Sequence, residues 1–88
     1  MFRLWGRIFK NNHIWKDTVI CDDSDETRTR KVMNSLDKIC YAFDLGKPIW
    51  LDKNIDEFKR YAKTSFRQDN FIEQIEFDRL EIRVIEEE

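Results

Sequence analysis

Residues 2–9, F-R-L-W-G-R-I-F, and 14–21, I-W-K-D-T-V-I-C, each alternate between two sets of side chains, with only Lys10-Asn11-Asn12-His13 between them. No other feature restricts the fold as tightly. Period-two alternation over eight residues is strand geometry, and so short a polar connection predicts a hairpin. With Asn11 and Asn12 as the central turn residues, both tolerant of positive φ, the hairpin has a two-residue loop. This register sets Phe9 opposite Ile14, Ile8 opposite Trp15, Trp5 opposite Thr18 and Leu4 opposite Val19. One face then gathers Phe2, Leu4, Gly6, Ile8, Trp15, Asp17, Val19 and Cys21. The other gathers Arg3, Trp5, Arg7, Phe9, Ile14, Lys16, Thr18 and Ile20. The first is the expected core face, with Asp17 opposite Gly6 as its polar exception. A one-residue slip would exchange these memberships on one strand.

After the hairpin the period changes. Val32, Met33, Leu36, Ile39, Cys40 and Phe43 recur at three- and four-residue steps, which predicts a helix over about 25–45, roughly 30 Å long at 1.5 Å per residue. The preceding Asp22-Asp23-Ser24-Asp25-Glu26 supplies capping side chains, with Asp23 and Glu26 at capping-box spacing. Gly46 and Pro48 mark its end. A second helix begins at Asp52 or Asn54, turns Ile55, Phe58 and either Tyr61 or Ala62 inward, and ends near Lys63-Thr64. The stretch 65–76 fits a loop, a short helix or an irregular strand. In 77–85, Leu80, Ile82 and Val84 alternate inward against Arg79, Glu81 and Arg83, a half-buried strand. Glu86, Glu87 and Glu88 are expected to fray. The chain is thus one domain, 1–88, of α+β class. A small antiparallel sheet, the hairpin plus the C-terminal strand, packs on two helices in the order β-β-α-α-β.

Charge bounds the partners. Sixteen basic and 18 acidic residues give a net charge of −2, so binding to nucleic acid would need a local patch rather than a global field. No apolar run approaches a membrane span and no signal-type leader is present, so a cytoplasmic location without membrane contact is expected. Cys21 and Cys40 have no C-x-x-C spacing and no histidine companion. They are expected to be reduced, buried structural thiols.

Several candidates for chemistry reduce to structure. The cluster Asp22, Asp23, Asp25, Glu26 lacks the alternating ligands and central glycine of a calcium loop and is accounted for by helix capping. His13, the only histidine, sits at a hairpin tip rather than in a pocket. Ser24, Ser35 and Ser65 have no nucleophile-elbow context. In F-K-R-Y-A-K-T-S-F-R, residues 58–67, helical geometry sends Phe58 and Ala62 inward and Lys59, Arg60 and Lys63 outward, a solvated face. Arg28, Arg30 and Lys31 form a similar basic turn behind a carboxylate-rich start. No catalytic residue, cofactor or metal is expected.

One surface is left. The outer sheet face would place Trp5, Phe9, Ile14 and Ile20 among Arg3, Arg7, Lys16, Arg79 and Arg83. An apolar patch of that size on a small protein marks a contact. It could stack RNA bases, bury itself in a homodimer, or be covered by 65–76. The expected function is a small non-enzymatic interaction module that self-associates or binds a protein. A nucleic-acid-binding module is the first alternative, and a motif-less enzyme or metal protein the second.

Overall fold

A computed structural model describes residues 1–87. Its elements are β1 (Phe2–Lys10), β2 (His13–Asp22), α1 (Arg28–Ala42), α2 (Asp52–Tyr61), β3 (Lys63–Phe66) and β4 (Arg79–Glu86), with one 3₁₀ turn at Gln68–Asn70. The four strands form an antiparallel sheet in the order β2-β1-β4-β3, and both helices serve its inner face. The C-terminal strand takes the free edge of β1. The last glutamates do not fray as expected: Glu86 bridges Arg3 at 2.7 Å and Glu87 bridges Arg28 at 2.5 Å, while Glu88 lies outside the described residues.

The hairpin turn is the expected two-residue one, with Asn11 (φ 54°) and Asn12 (φ 64°) both left-handed as a type I′ turn requires. The register beyond it is not the expected one. Phe9 pairs with Ile14 but Ile8 pairs with Lys16, leaving Trp15 as an extra residue, a β-bulge on β2. From there on the pairs are Gly6 with Thr18, Trp5 with Val19 and Leu4 with Ile20. The β2 memberships are therefore exchanged. Ile20 packs against the core, while Asp17, Val19 and Cys21 join the outer face, and Cys21 is exposed rather than buried. The β1 memberships hold, and Phe2, Leu4 and Ile8 are buried.

Along α1, Val32, Leu36, Ile39 and Cys40 are buried and Phe43 packs beside them. The helix is shorter than expected because Thr27 caps it, its hydroxyl accepting the Arg30 N–H at 3.3 Å. The acidic stretch forms a turn instead of a capping box: Asp22 accepts the Ser24 N–H at 2.8 Å, and Glu26 reaches Arg30 at 3.7 Å. Hydrogen bonds from the Ser24 hydroxyl and N–H hold the Asp22 carboxyl below its usual range. At the other end Leu45 N–H bonds Cys40 C=O at 2.8 Å and Asp44 N–H bonds Tyr41 C=O at 3.1 Å, a Schellman motif with Asp44 at φ 58°. The chain therefore turns before Gly46. Ile39 seats on Gly6 of β1, where an added Cβ would lie 2.7 Å from Ile39 Cγ2. This close approach between helix and strand needs glycine.

The second half is organised by two asparagines. Asn54, one of the two expected starts of α2, is fully buried. Its Oδ1 accepts the Leu51 N–H at 3.1 Å, and its Nδ2 donates to Thr64 Oγ1 at 2.8 Å and Ser65 C=O at 2.9 Å. Buried Asn70 donates to Asn54 Oδ1 at 2.8 Å and Ile49 C=O at 2.7 Å, and accepts the Arg67 N–H at 3.0 Å. The Thr64 hydroxyl in turn donates to Glu57 Oε1 at 2.7 Å. This network turns part of 65–76 into order: Ser65 and Phe66 complete a fourth strand, and the 3₁₀ turn follows. Ala62, at φ 56°, reverses the chain between α2 and β3. Trp50 meets Phe58 and Phe66 edge-on at 5.7 and 5.1 Å, and Phe71 meets Phe77 at 5.9 Å. Tyr61 and Ile55 stay largely outside.

Two stability outcomes follow. Asn54→Ala leaves Leu51 N–H, Ser65 C=O and Asn70 short of buried partners, and should lower unfolding stability by at least about 3 kcal/mol in a denaturant titration. Ala62→Gly relieves a left-handed alanine and should raise stability by about 0.5–1 kcal/mol in the same assay.

Candidate functional site

The outer face carries no helix, and the stretch 65–76 does not cover it: Phe66, Asn70 and Phe71 are buried with the core. Its centre is Arg7. The guanidinium lies 4.2 Å from the Trp5 ring centre and 5.2 Å from that of Phe9, and Nη2 donates to Glu81 Oε1 at 2.5 Å. Arg79 covers the same Phe9 ring at 3.9 Å. Trp5 is anchored separately, its indole N–H donating to Asp17 Oδ2 at 3.0 Å. The two rings are thus half-buried by cations of their own chain, a stacking arrangement in which the flat guanidinium also satisfies a carboxylate.

The pairing explains how these residues meet. Arg7 stands between Asp17 and Glu81 on the neighbouring strands, Phe9 opposite Arg79, and Trp5 between Val19 and Arg83. Of the expected face residues, Arg3, Trp5, Arg7, Phe9, Ile14, Arg79 and Arg83 come together. Lys16 and Ile20 do not. The bulge moves Lys16 to the Ile8 side, where its ammonium and that of Lys10 each lie 4.6 Å from the Trp15 ring. Trp15 itself lines a shallow pocket with Ile8, Phe43 and Phe77 on the helix side. The face gains Asp17, Val19 and Cys21 through that same shift, and Lys63 through β3. Lys63 was hidden because no residue type between 58 and 67 announces the left-handed turn at Ala62.

Charge on this face differs from that of the whole chain. Arg3, Arg7, Lys63, Arg79 and Arg83 stand against Asp17, Glu81 and Glu86, a net of +2 on a chain of net −2. The carboxylates serve residues of the face itself. Among the described residues, Arg83 and Lys63 have no ion pair, and the excess positive charge concentrates on the β3–β4 side. It continues into a polar groove of about 510 Å³ where Lys53, Tyr61 and Arg67 approach Arg79.

The other candidates stay apart. His13 is exposed at the turn, and Ser35 is buried with its hydroxyl lacking a hydrogen-bond partner. Among the described residues, no three His, Cys, Asp or Glu side chains converge to hold a metal ion. No described helix is long and apolar enough to cross a membrane. Burial pushes the Cys40 thiol up to about 11, so it is a poor nucleophile. No protein-family model matches this chain, and neither the curated proteins nor the solved structures contain a match.

The two thiols give a direct check on this placement. An alkylating reagent at pH 8 should modify Cys21 alone in the folded protein and both cysteines after denaturation, read by mass spectrometry. Labelling of both in the folded state would mean that α1 is not seated on the sheet as described.

Proposed function

We propose that this chain is a non-enzymatic interaction module that binds an acidic protein surface through the outer face of its sheet. The observation that carries this reading is the arginine–aromatic stack of Arg7, Arg79, Trp5 and Phe9 inside a face of net +2. Such a stack holds guanidinium groups in place before a partner arrives, which lowers the ordering cost of binding. Aromatic and arginine side chains are also the types that carry binding energy at protein interfaces. Exposed Ile14 and Val19 border the stack and add apolar contact area. Stacking two copies through this face would bring like charges together, so an acidic partner is favoured over self-association. Two unpaired cysteines, one of them exposed on this face, suit a reducing compartment, and we place the module in the cytoplasm.

A nucleic-acid-binding module is the second reading. Arg83, Lys63 and Arg67 are free of ion pairs among the described residues, and exposed Tyr61 lines the adjoining groove. The sheet rings weigh against it, because Trp5 and Phe9 already have cations where a base would stack.

The test compares the wild type with Arg79→Glu/Arg83→Glu, both checked for folding by thermal melting. Cross-linking in extract of the source cells should recover a protein with an acidic surface from the wild type, and at least tenfold less of it from the variant. Light scattering over a tenfold concentration range should give a monomer for both. Tight binding of single-stranded oligonucleotides, weakened steeply by salt and lost in the variant, would replace this reading with the second.

A further inference from the structure

A different surface, on the helix side, carries an inference independent of the sheet face. Between α1 and α2 runs an open groove of about 360 Å³ lined by Val32, Met33, Trp50, Ile55 and Phe58. Met33 lies on the flank of the α1 stripe and Ile55 on that of α2. Both amphipathic patterns predict burial, yet Met33 is 41% and Ile55 40% exposed. The apolar flanks of the two helices therefore face a space that the chain itself does not fill.

Both charged residues that line the groove are cations, and one of them is paired with a carboxylate just outside it. Arg28 and Lys59 line the groove together with Thr29, and no carboxylate does. Arg28 shows what the rim selects: its guanidinium stands 5.4 Å from the Phe58 ring centre while its Nε donates to the carboxylate of Glu87 at 2.5 Å. That bridge is solvent-exposed on both sides, so an incoming carboxylate can compete for the same donors.

All the lining residues but Trp50, which comes from the connection between the helices, lie on α1 and α2, and no strand edge offers free N–H and C=O groups there. An occupant must then satisfy its own backbone hydrogen bonds, which an α-helix does and an extended peptide does not. We infer that the α1–α2 groove docks an amphipathic helix of a partner protein, with large apolar residues one turn apart and acidic residues beside them. A second copy of this chain is a poor occupant through α1, which carries Arg28, Arg30, Lys31 and Lys38 against a single acid, Asp37. With the sheet face on the opposite side, the domain would then hold two partners at once.

Titration of the full chain with a synthetic helical peptide tests this. The probe carries leucines at i and i+4 flanked by glutamates, and a matched peptide carries lysines in their place. Methyl and indole NMR should show shifts at Met33, Ile55 and Trp50 and none at Trp5. At low ionic strength the glutamate peptide should bind at least tenfold more tightly than the lysine peptide. Ile55→Glu, at an exposed position, should weaken binding at least tenfold with its thermal midpoint unchanged, and Lys59→Glu should remove the charge preference. Absence of binding, equal affinity for the two peptides, or shifts centred on Trp5 would overturn the inference. So would a concentration-dependent dimer that Ile55→Glu converts to a monomer.

Discussion

The side-chain amide of Asn54 holds together pieces of chain that have no other reason to stay assembled. It ties the Leu51 entry of α2 to β3 through Thr64 and Ser65, and to the Ile49 segment and the 3₁₀ turn through Asn70. All of its polar capacity is used: two bonds accepted, two donated. In a dry interior such a network is costly when incomplete and highly specific when complete. Here it selects one arrangement of 49–70, a region with little apolar stripe of its own. Trp50, Phe58 and Phe66 then pack around it as a consequence.

What could be read from residues alone divides along that line. The hairpin, α1 and β4 announce themselves because their burial is periodic, and period is visible in sequence. Leu36, Ile39, Leu80 and Ile82 all lie where the pattern puts them. Asn54 illustrates the opposite case. At capping-box spacing from Glu57 it reads as a helix start, and its Oδ1 does accept the Leu51 N–H three residues back. Its other bonds reach residues 64, 65 and 70, and no local pattern encodes so distant a partner. Ala62 hides a chain reversal for a related reason: only tertiary packing sustains a left-handed alanine.

The candidate site was legible by strand rather than as a whole. Alternation on β1 and β4 correctly assembles Arg3, Trp5, Arg7, Phe9, Arg79 and Arg83, because both strands are buried on one side. On β2 a single extra residue, Trp15, exchanges the memberships of every position that follows. Cys21 and Ile20 trade roles for this reason alone. An edge strand with little burial tolerates such an insertion, and its sequence carries no mark of it. The shift also changes the chemistry of the face: it brings Asp17 beside Trp5 and Arg7, so the aromatic–cation stack acquires a carboxylate that anchors the Trp5 indole.

The same bulge has a protective side. β2 is ten residues long and forms one border of the sheet, with its outward N–H and C=O groups open to any other strand. A regular border of that length would act as a template for adding strands from neighbouring molecules, the first step toward fibrous aggregates. The irregularity at Trp15, with Lys16 and Asp17 directly after it, breaks the ladder close to the hairpin turn. It leaves two residues on the turn side and the seven of 16–22 on the other, with Lys16, Asp17 and Asp22 placing charges at both ends of the longer stretch. The cost of an exposed sheet border is thus met in part by one inserted residue and the charges that follow it.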